Sequence, residues 1–261
     1  MSNYVKSSDG VKIHYTISGQ GEIALLFVHG WLGNGQWWNS QSEYFSKNFT
    51  VVLMDLAGHG KSDKSRSNWT SKQYAEDIKN VSEQIKANKL ILIGHSMSGA
   101  YVAEASILIP KTAAIILVDT LQDLDQIMTI EQASQMFELC RKDFKSTVEN
   151  ILPQYLFAKS SPKAICSKIQ NEFLAFDPNL AVSILEPLYK MDIREIAKKV
   201  IVPVRAINSN FSPTNCFNNQ KYFHDYNYCE ILGTGHYPML EKPETFNQLL
   251  EETLKQMKIP V

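Results

Sequence analysis

The chain has 261 residues, 44% of them hydrophobic, with a formal charge of −1 at pH 7 and four scattered cysteines. That length and apolar content suit one sizeable core, and the near-zero charge argues against a face built for nucleic acid or an anionic membrane. The opening MSNYVKSSDG lacks the apolar stretch of a secretory signal, and runs such as AIILV are far too short to span a bilayer, so a cytoplasmic protein without stable membrane insertion is expected.

Two alternating segments flank Ser8–Gly10 and predict a hairpin. Short continuous apolar runs then follow: Ile23–Val28, Val51–Met54, Leu90–Ile93, Ala113–Val118 and Pro203–Ile207. Runs of this kind suit strands covered on both faces, as in a parallel sheet. Helical patterns lie between them. TSKQ from Thr70 is a capping box, followed by Tyr74, Ile78, Val81 and Ile85 at helical spacing. A helix is predicted over Ser96–Ile109, stopped by Pro110, and another from Pro243 with Phe246, Leu249, Leu250 and Leu254 on one face. Residues 121–199 carry helical patterns and no strand; Phe137, Phe144, Tyr155, Phe157, Phe173, Phe176 and Tyr189 are read as mainly that segment's own core. The expected organisation is an α/β core from residues 1–120 and 200–261, with a helical cap over 121–199.

LILIGHSMSGAYVAEA is the most informative stretch. A strand running into a helix at Ser96 puts that serine at the carboxyl edge of the sheet, where open α/β folds bind ligands. So sharp a turn needs small neighbours. Gly94 meets this need on one side, and Ser98 takes the other place, followed by Gly99. The helix start presents free N–H groups, with the Met97 amide the natural oxyanion donor. FVHGWLGNG opens a second loop at the same edge, where the Trp31 amide could be the other donor, and CEIL precedes a glycine-flanked His236. Ser98 could touch substrate or simply be small. His29, His59 and His95 read as buried bracing groups; His14 has no obvious partner. Trp37 and Trp38 could line a pocket or pack a helix on the sheet.

The ordered motifs HGW, DLAGHGKSD, GHSMSG and GHYPMLEKPETF resemble those of the α/β-hydrolase superfamily over nearly the whole chain. The resemblance implies a mostly parallel eight-stranded sheet with a cap after strand six. It also implies Ser96 as nucleophile, His236 as base, and Trp31 and Met97 as amide donors. Serine at the elbow makes the dehalogenase and epoxide hydrolase chemistries of relatives with aspartate there unexpected.

One member is missing. In most relatives the acid follows strand seven, at a position that falls on Ser212 or Asn210 here. Strands six and seven should be neighbours about 4.8 Å apart, so a carboxylate ending strand six can approach the same histidine. Asp119 stands there, as in some superfamily members, and is the expected acid, with Asp123 in reserve near the cap entrance. Asp119 could instead be a strand-end aspartate binding loop amides.

The expected activity is hydrolysis of a small, largely apolar carboxylic ester through an acyl-enzyme, with no cofactor and no metal. HExxH, CxxC and a complete Walker loop are all absent, and Cys140, Cys166, Cys216 and Cys229 read as reduced. The sequence assigns no oligomeric state. A ligand receptor of the same fold is the alternative, because the GHSxS elbow also resembles that of plant hormone receptors. A degenerate hydrolase kept for binding would require that no acid reach His236.

Overall fold

The computed structural model describes residues 2–259, and eight strands in it form one sheet. β1 (Ser2–Lys6) and β2 (Lys12–Ser18) make the antiparallel hairpin expected around Ser8–Gly10. β3 (Ile23–Val28), β4 (Thr50–Met54), β5 (Lys89–His95), β6 (Thr112–Val118), β7 (Val204–Ser209) and β8 (Tyr226–Ile231) follow, running parallel to one another. The order across the sheet is β1-β2-β4-β3-β5-β6-β7-β8.

Every strand read from an apolar run is present, with some ends displaced by one to three residues. The extensions at Gly94–His95 and Asn208–Ser209 carry polar side chains or none, which the ladder tolerates because it pairs backbone. β8 begins earlier than its apolar run because Tyr226–Tyr228 alternate between buried and exposed, as an edge strand does.

Side-chain alternation sends Leu25 and Phe27 to one face of β3, and Ala24, Leu26 and Val28 to the other; all five are fully buried. The second face is covered by α2 (Ser71–Glu83) and α3 (Ser98–Leu108), through Tyr74, Ile78, Val81 and Tyr101. The first is covered by α1 (Asn39–Phe45) and α7 (Pro243–Gln256), through Phe45, Phe246 and Leu250. α2 starts on the expected box: the Thr70 side chain accepts from the Gln73 amide, and the Gln73 side chain accepts from the Thr70 amide. Such a cap stabilises a helix by about 1 kcal/mol.

Between β6 and β7 lie α4 (Ile130–Lys142), α5 (Lys163–Leu174), α6 (Pro178–Leu185) and shorter turns, with no strand among the described residues. Phe137, Phe144 and Phe173 are buried here, each worth about 2 kcal/mol of apolar transfer. They share one cluster with Trp37 and Tyr237, so this segment's core is continuous with the first face of the sheet rather than separate from it. Tyr155 departs from that pattern and is 64% exposed. No helix among the described residues is long and apolar enough to cross a membrane.

Candidate active site

Ser96 sits between β5 and α3 with φ of +55°, a left-handed conformation uncommon outside glycine. The turn is this tight because α3 folds back on the strand it follows. A Cβ on Gly94 would lie 2.5 Å from the Ser98 carbonyl oxygen, so only glycine fits there. The Ser96 carbonyl accepts from the Gly99 amide at 2.9 Å and from Thr120 Oγ1 at 2.7 Å, which pins the turn from both sides. The helix starts at Ser98, two residues later than read from sequence, because Ser96 is spent on the elbow. Ser98 is fully buried and its hydroxyl donates to the His29 carbonyl, so it ties the elbow to the loop after β3 rather than facing a ligand.

That loop is held by His29. Its Nδ1 donates to the Gly30 carbonyl at 2.7 Å while its Nε2 accepts from the Leu56 amide at 3.0 Å. Burial pushes its pKa down, which keeps the ring neutral in these two roles. Gly30 approaches the elbow so closely that a Cβ there would meet His95 Nδ1 at 2.7 Å. Trp31 and Met97 therefore flank Ser96 from opposite loops, and neither backbone amide donates to a protein acceptor among the described residues. The Trp31 indole donates to the Ala181 carbonyl of α6 at 2.8 Å, and the Trp37 indole to Glu172 of α5 at 2.6 Å. Trp37 and Trp38 are buried in the core.

His236 is brought to the same edge by the loop after β8. Its Nε2 lies 2.8 Å from Ser96 Oγ and its Nδ1 lies 2.6 Å from Asp119 Oδ2. Every polar group of its peptide frame is engaged. The His236 amide donates to the Leu156 carbonyl at 2.8 Å, and its carbonyl accepts from His95 Nε2 at 2.7 Å. The flanking amides of Gly235 and Tyr237 both donate to the Glu241 carboxylate, at 2.9 and 3.2 Å, and Ser161 Oγ donates to it at 2.6 Å. Burial and the neighbouring His236 bring His95 down to about 3, so it bonds as a neutral ring.

Asp119 follows β6 directly and adopts φ of +45°. Its carboxylate is nearly buried, 3% exposed. Burial alone would raise its pKa, but the His236 hydrogen bond and two donations from Ser209 outweigh that and hold it below the ordinary 3.8. The two readings of Asp119 therefore coincide: it binds a loop amide and also meets the histidine. Asp123 lies elsewhere. Its carboxylate accepts from Asn218 at 2.9 and 3.1 Å and from Asn215 at 3.2 Å, which directs it to the loop before β8 and away from His236.

The stretch without an acid, Asn208–Asn210, is occupied in another way. Asn208 Oδ1 accepts from the Thr120 amide at 3.3 Å, and the Ser209 amide and hydroxyl both donate to Asp119 Oδ1 at 2.7 Å. Asn210 Oδ1 accepts from the Gly233 amide at 2.8 Å. Three consecutive polar residues thus reach the β6 loop twice and the histidine loop once. Among the described residues, no group of three or more His, Cys, Asp or Glu side chains converges as a metal site would need.

Comparison with known proteins agrees with this architecture. Residues 23–160 match the sequence pattern of the alpha/beta hydrolase fold. The chain belongs to the α/β-hydrolase fold family. This α/β-hydrolase chain is 28% identical over 259 residues to the pimeloyl-[acyl-carrier protein] methyl ester esterase of Wigglesworthia glossinidia brevipalpis, covering 92% of this chain and 97% of that one. It is 24% identical over 244 residues to the Karrikin insensitive 2 receptor CA of Petunia hybrida, covering 87% and 90%. Among solved structures, the esterase EaEST from Exiguobacterium antarcticum superposes with a TM-score of 0.85 at 21% identity, covering 98% of this chain and 100% of that one. The enol-lactonase from Burkholderia xenovorans LB400 gives 0.84 at 19%, covering 97% and 100%. At such identities these likenesses carry the fold alone. In this α/β-hydrolase chain, sequence reasoning missed Ser209, Glu241 and Ser161. Glu241 was visible as the first of the two acids in GHYPMLEKPETF; nothing local marks the other two.

Proposed function

We propose that the protein is a serine hydrolase of small, largely apolar carboxylic esters, with Ser96, His236 and Asp119 as its triad. The reading rests on one observation: at a left-handed elbow beside two amides without a protein acceptor, an unbroken hydrogen-bonded chain runs from Ser96 Oγ through both nitrogens of His236 to Asp119 Oδ2, each link within 2.8 Å. The ionised Asp119 accepts from Nδ1–H, which leaves the Nε2 lone pair facing the serine hydroxyl. As Oγ attacks the ester carbonyl, Nε2 takes its proton and Asp119 stabilises the imidazolium. The Trp31 and Met97 amides then receive the oxyanion. His236 returns the proton to the leaving alcohol, and water, activated the same way, releases the acid.

Residues 121–199 serve in this reading as a cap over the site, and residues 1–120 and 200–261 as the core. The indole bonds of Trp31 and Trp37 and the Leu156–His236 bond would tie that cap to both catalytic loops. Trp31 packing edge-on against Phe173 at 5.5 Å supports an apolar substrate at that junction. The names of the Wigglesworthia and Exiguobacterium relatives point the same way.

The test is a p-nitrophenyl ester series of increasing acyl length on wild type, Ser96→Ala and Asp119→Asn. Multiple turnover by wild type alone supports the reading. A receptor is the second reading, favoured by the Petunia relative over most of its length. It requires slow turnover together with a ligand-dependent rise in melting temperature.

A further inference from the structure

We propose that Ser209 is a positioning residue for the Asp119 carboxylate, so that β7, which supplies no acid of its own, supplies the seat for the acid of β6. This rests on the triad reading above. Asp119 Oδ1 receives two donors from one residue, the Ser209 amide and hydroxyl, both at 2.7 Å. Oδ2 is thereby left to His236 Nδ1. Two donors on one oxygen and one on the other fix the carboxylate plane. A lone carboxylate on a single χ2 torsion would otherwise turn freely between rotamers.

The backbone agrees with this division. Asp119 lies in the left-handed region, and its amide donates to the Ile207 carbonyl at 3.1 Å, which sets its side chain level with the end of β7. Val118 pairs with Ile207 in the ladder, so Asn208 and Ser209 are the first residues of β7 beyond that pair. Ser209 and Asn208 are fully buried. A buried hydroxyl aimed at a buried carboxylate shields the charge and orients it at once, and hydrogen bonds to ions are about twice as strong as neutral ones.

A merely structural serine would stabilise the fold and leave the chemistry alone, so the test must separate the two. The groups facing His236 that titrate are Asp119, His95, Tyr237 and, across the peptide frame, Glu241. His95 and Tyr237 stay neutral around pH 7, the one driven down by burial and the other driven up, and Glu241 is occupied by its loop amides. Asp119 is therefore the charge that sets the acid limb of kcat/KM.

Ser209→Ala, Ser209→Thr and Asp119→Asn are measured for kcat, KM and the acid limb, with thermal melts on each. Ser209→Ala is expected to lower kcat roughly tenfold with KM within about twofold. Its acid limb should move to lower pH, because a carboxylate free to turn away from Nδ1 holds the imidazolium less strongly. Ser209→Thr, which keeps the hydroxyl, should recover most of kcat and the wild-type limb. If Asp119→Asn loses activity but Ser209→Ala keeps wild-type kcat and limb, whatever its melting temperature, the inference fails and the triad reading stands. If Asp119→Asn keeps full turnover, the triad reading itself fails and Ser209 falls with it.

Discussion

Two serine–histidine–aspartate chains lie among the described residues, and the proposed chemistry uses only one. At the carboxyl edge, Ser96, His236 and Asp119 are linked at 2.8 and 2.6 Å. Near the antiparallel hairpin, Ser2 Oγ lies 2.8 Å from His14 Nε2, and His14 Nδ1 lies 2.9 Å from Asp55 Oδ2. Interatomic distances barely separate them; their settings do. Ser2 is exposed at the start of an edge strand, whereas Ser96 is held left-handed ahead of a helix, between two undonated amides. Asp55 is spent on structure, accepting from the amides of Gly35 and Lys61 at 2.7 and 2.9 Å as well as from His14. It therefore braces the loops around a recess of about 360 Å³. A hydrogen-bonded triad is thus a necessary arrangement but a weak signature. The left-handed elbow and the unpaired amides beside it are what the proposed nucleophile has and the Ser2 hydroxyl lacks.

The two chains should part most widely at their serines. Ser96→Ala should cost roughly 10⁴- to 10⁶-fold in kcat, and Ser2→Ala should stay within about twofold, both read on one chromogenic ester. The aspartates come next. Asp119→Asn should cost about 10⁴-fold with the fold intact by circular dichroism. Asp55→Asn should leave the chemical step nearly unchanged but lower stability in urea by about 1–3 kcal/mol, since buried amides lose a charged acceptor. Equal losses of turnover from both would erase the distinction.

Smaller effects sharpen it. Glu241→Gln should reduce kcat by about tenfold to a hundredfold, because the amides on either side of His236 lose their clamp and a displacement of about 1 Å at a reacting group is that costly. The histidines also predict an acid response. The His95 pKa is depressed in the folded state to about 3 from an ordinary 6.5, so the folded chain refuses a proton that the unfolded chain accepts. Its stabilising contribution is complete above pH 6.5 and is lost on acidification from 6.5 towards 3, with a slope approaching ~1.4 kcal/mol per pH unit. Asp119, depressed below 3.8, keeps its contribution until pH falls below that value. Urea midpoints between pH 7 and 4 should fall for wild type and fall less steeply for His95→Asn.

Much of this was legible in sequence where a local rule applies. Apolar runs marked the parallel strands, TSKQ marked the start of α2, and the glycine-flanked Ser96 and His236 marked two loops. Asp119 was reachable by inference, because neighbouring strands bring their carboxyl ends together. The Ser209 role was not, since it depends on a register across two strands and on a left-handed aspartate, neither of which leaves a pattern in consecutive residues. His14 shows the same limit from the other side: its partners lie 12 and 41 positions away. Ser98 was open in sequence and resolves into a tie between two loops, visible only once β3 and α3 are adjacent.

In the proposed mechanism Ser96 is the one activated hydroxyl. Incubation with a p-nitrophenyl phosphotriester, followed by peptide mass spectrometry, tests it most directly, because the trapped adduct records which hydroxyl attacked. Stoichiometric modification of Ser96, abolished in His236→Ala and untouched in His14→Ala, is the predicted result. Modification at Ser2, or an unmodified Ser96 in an otherwise intact protein, would contradict it.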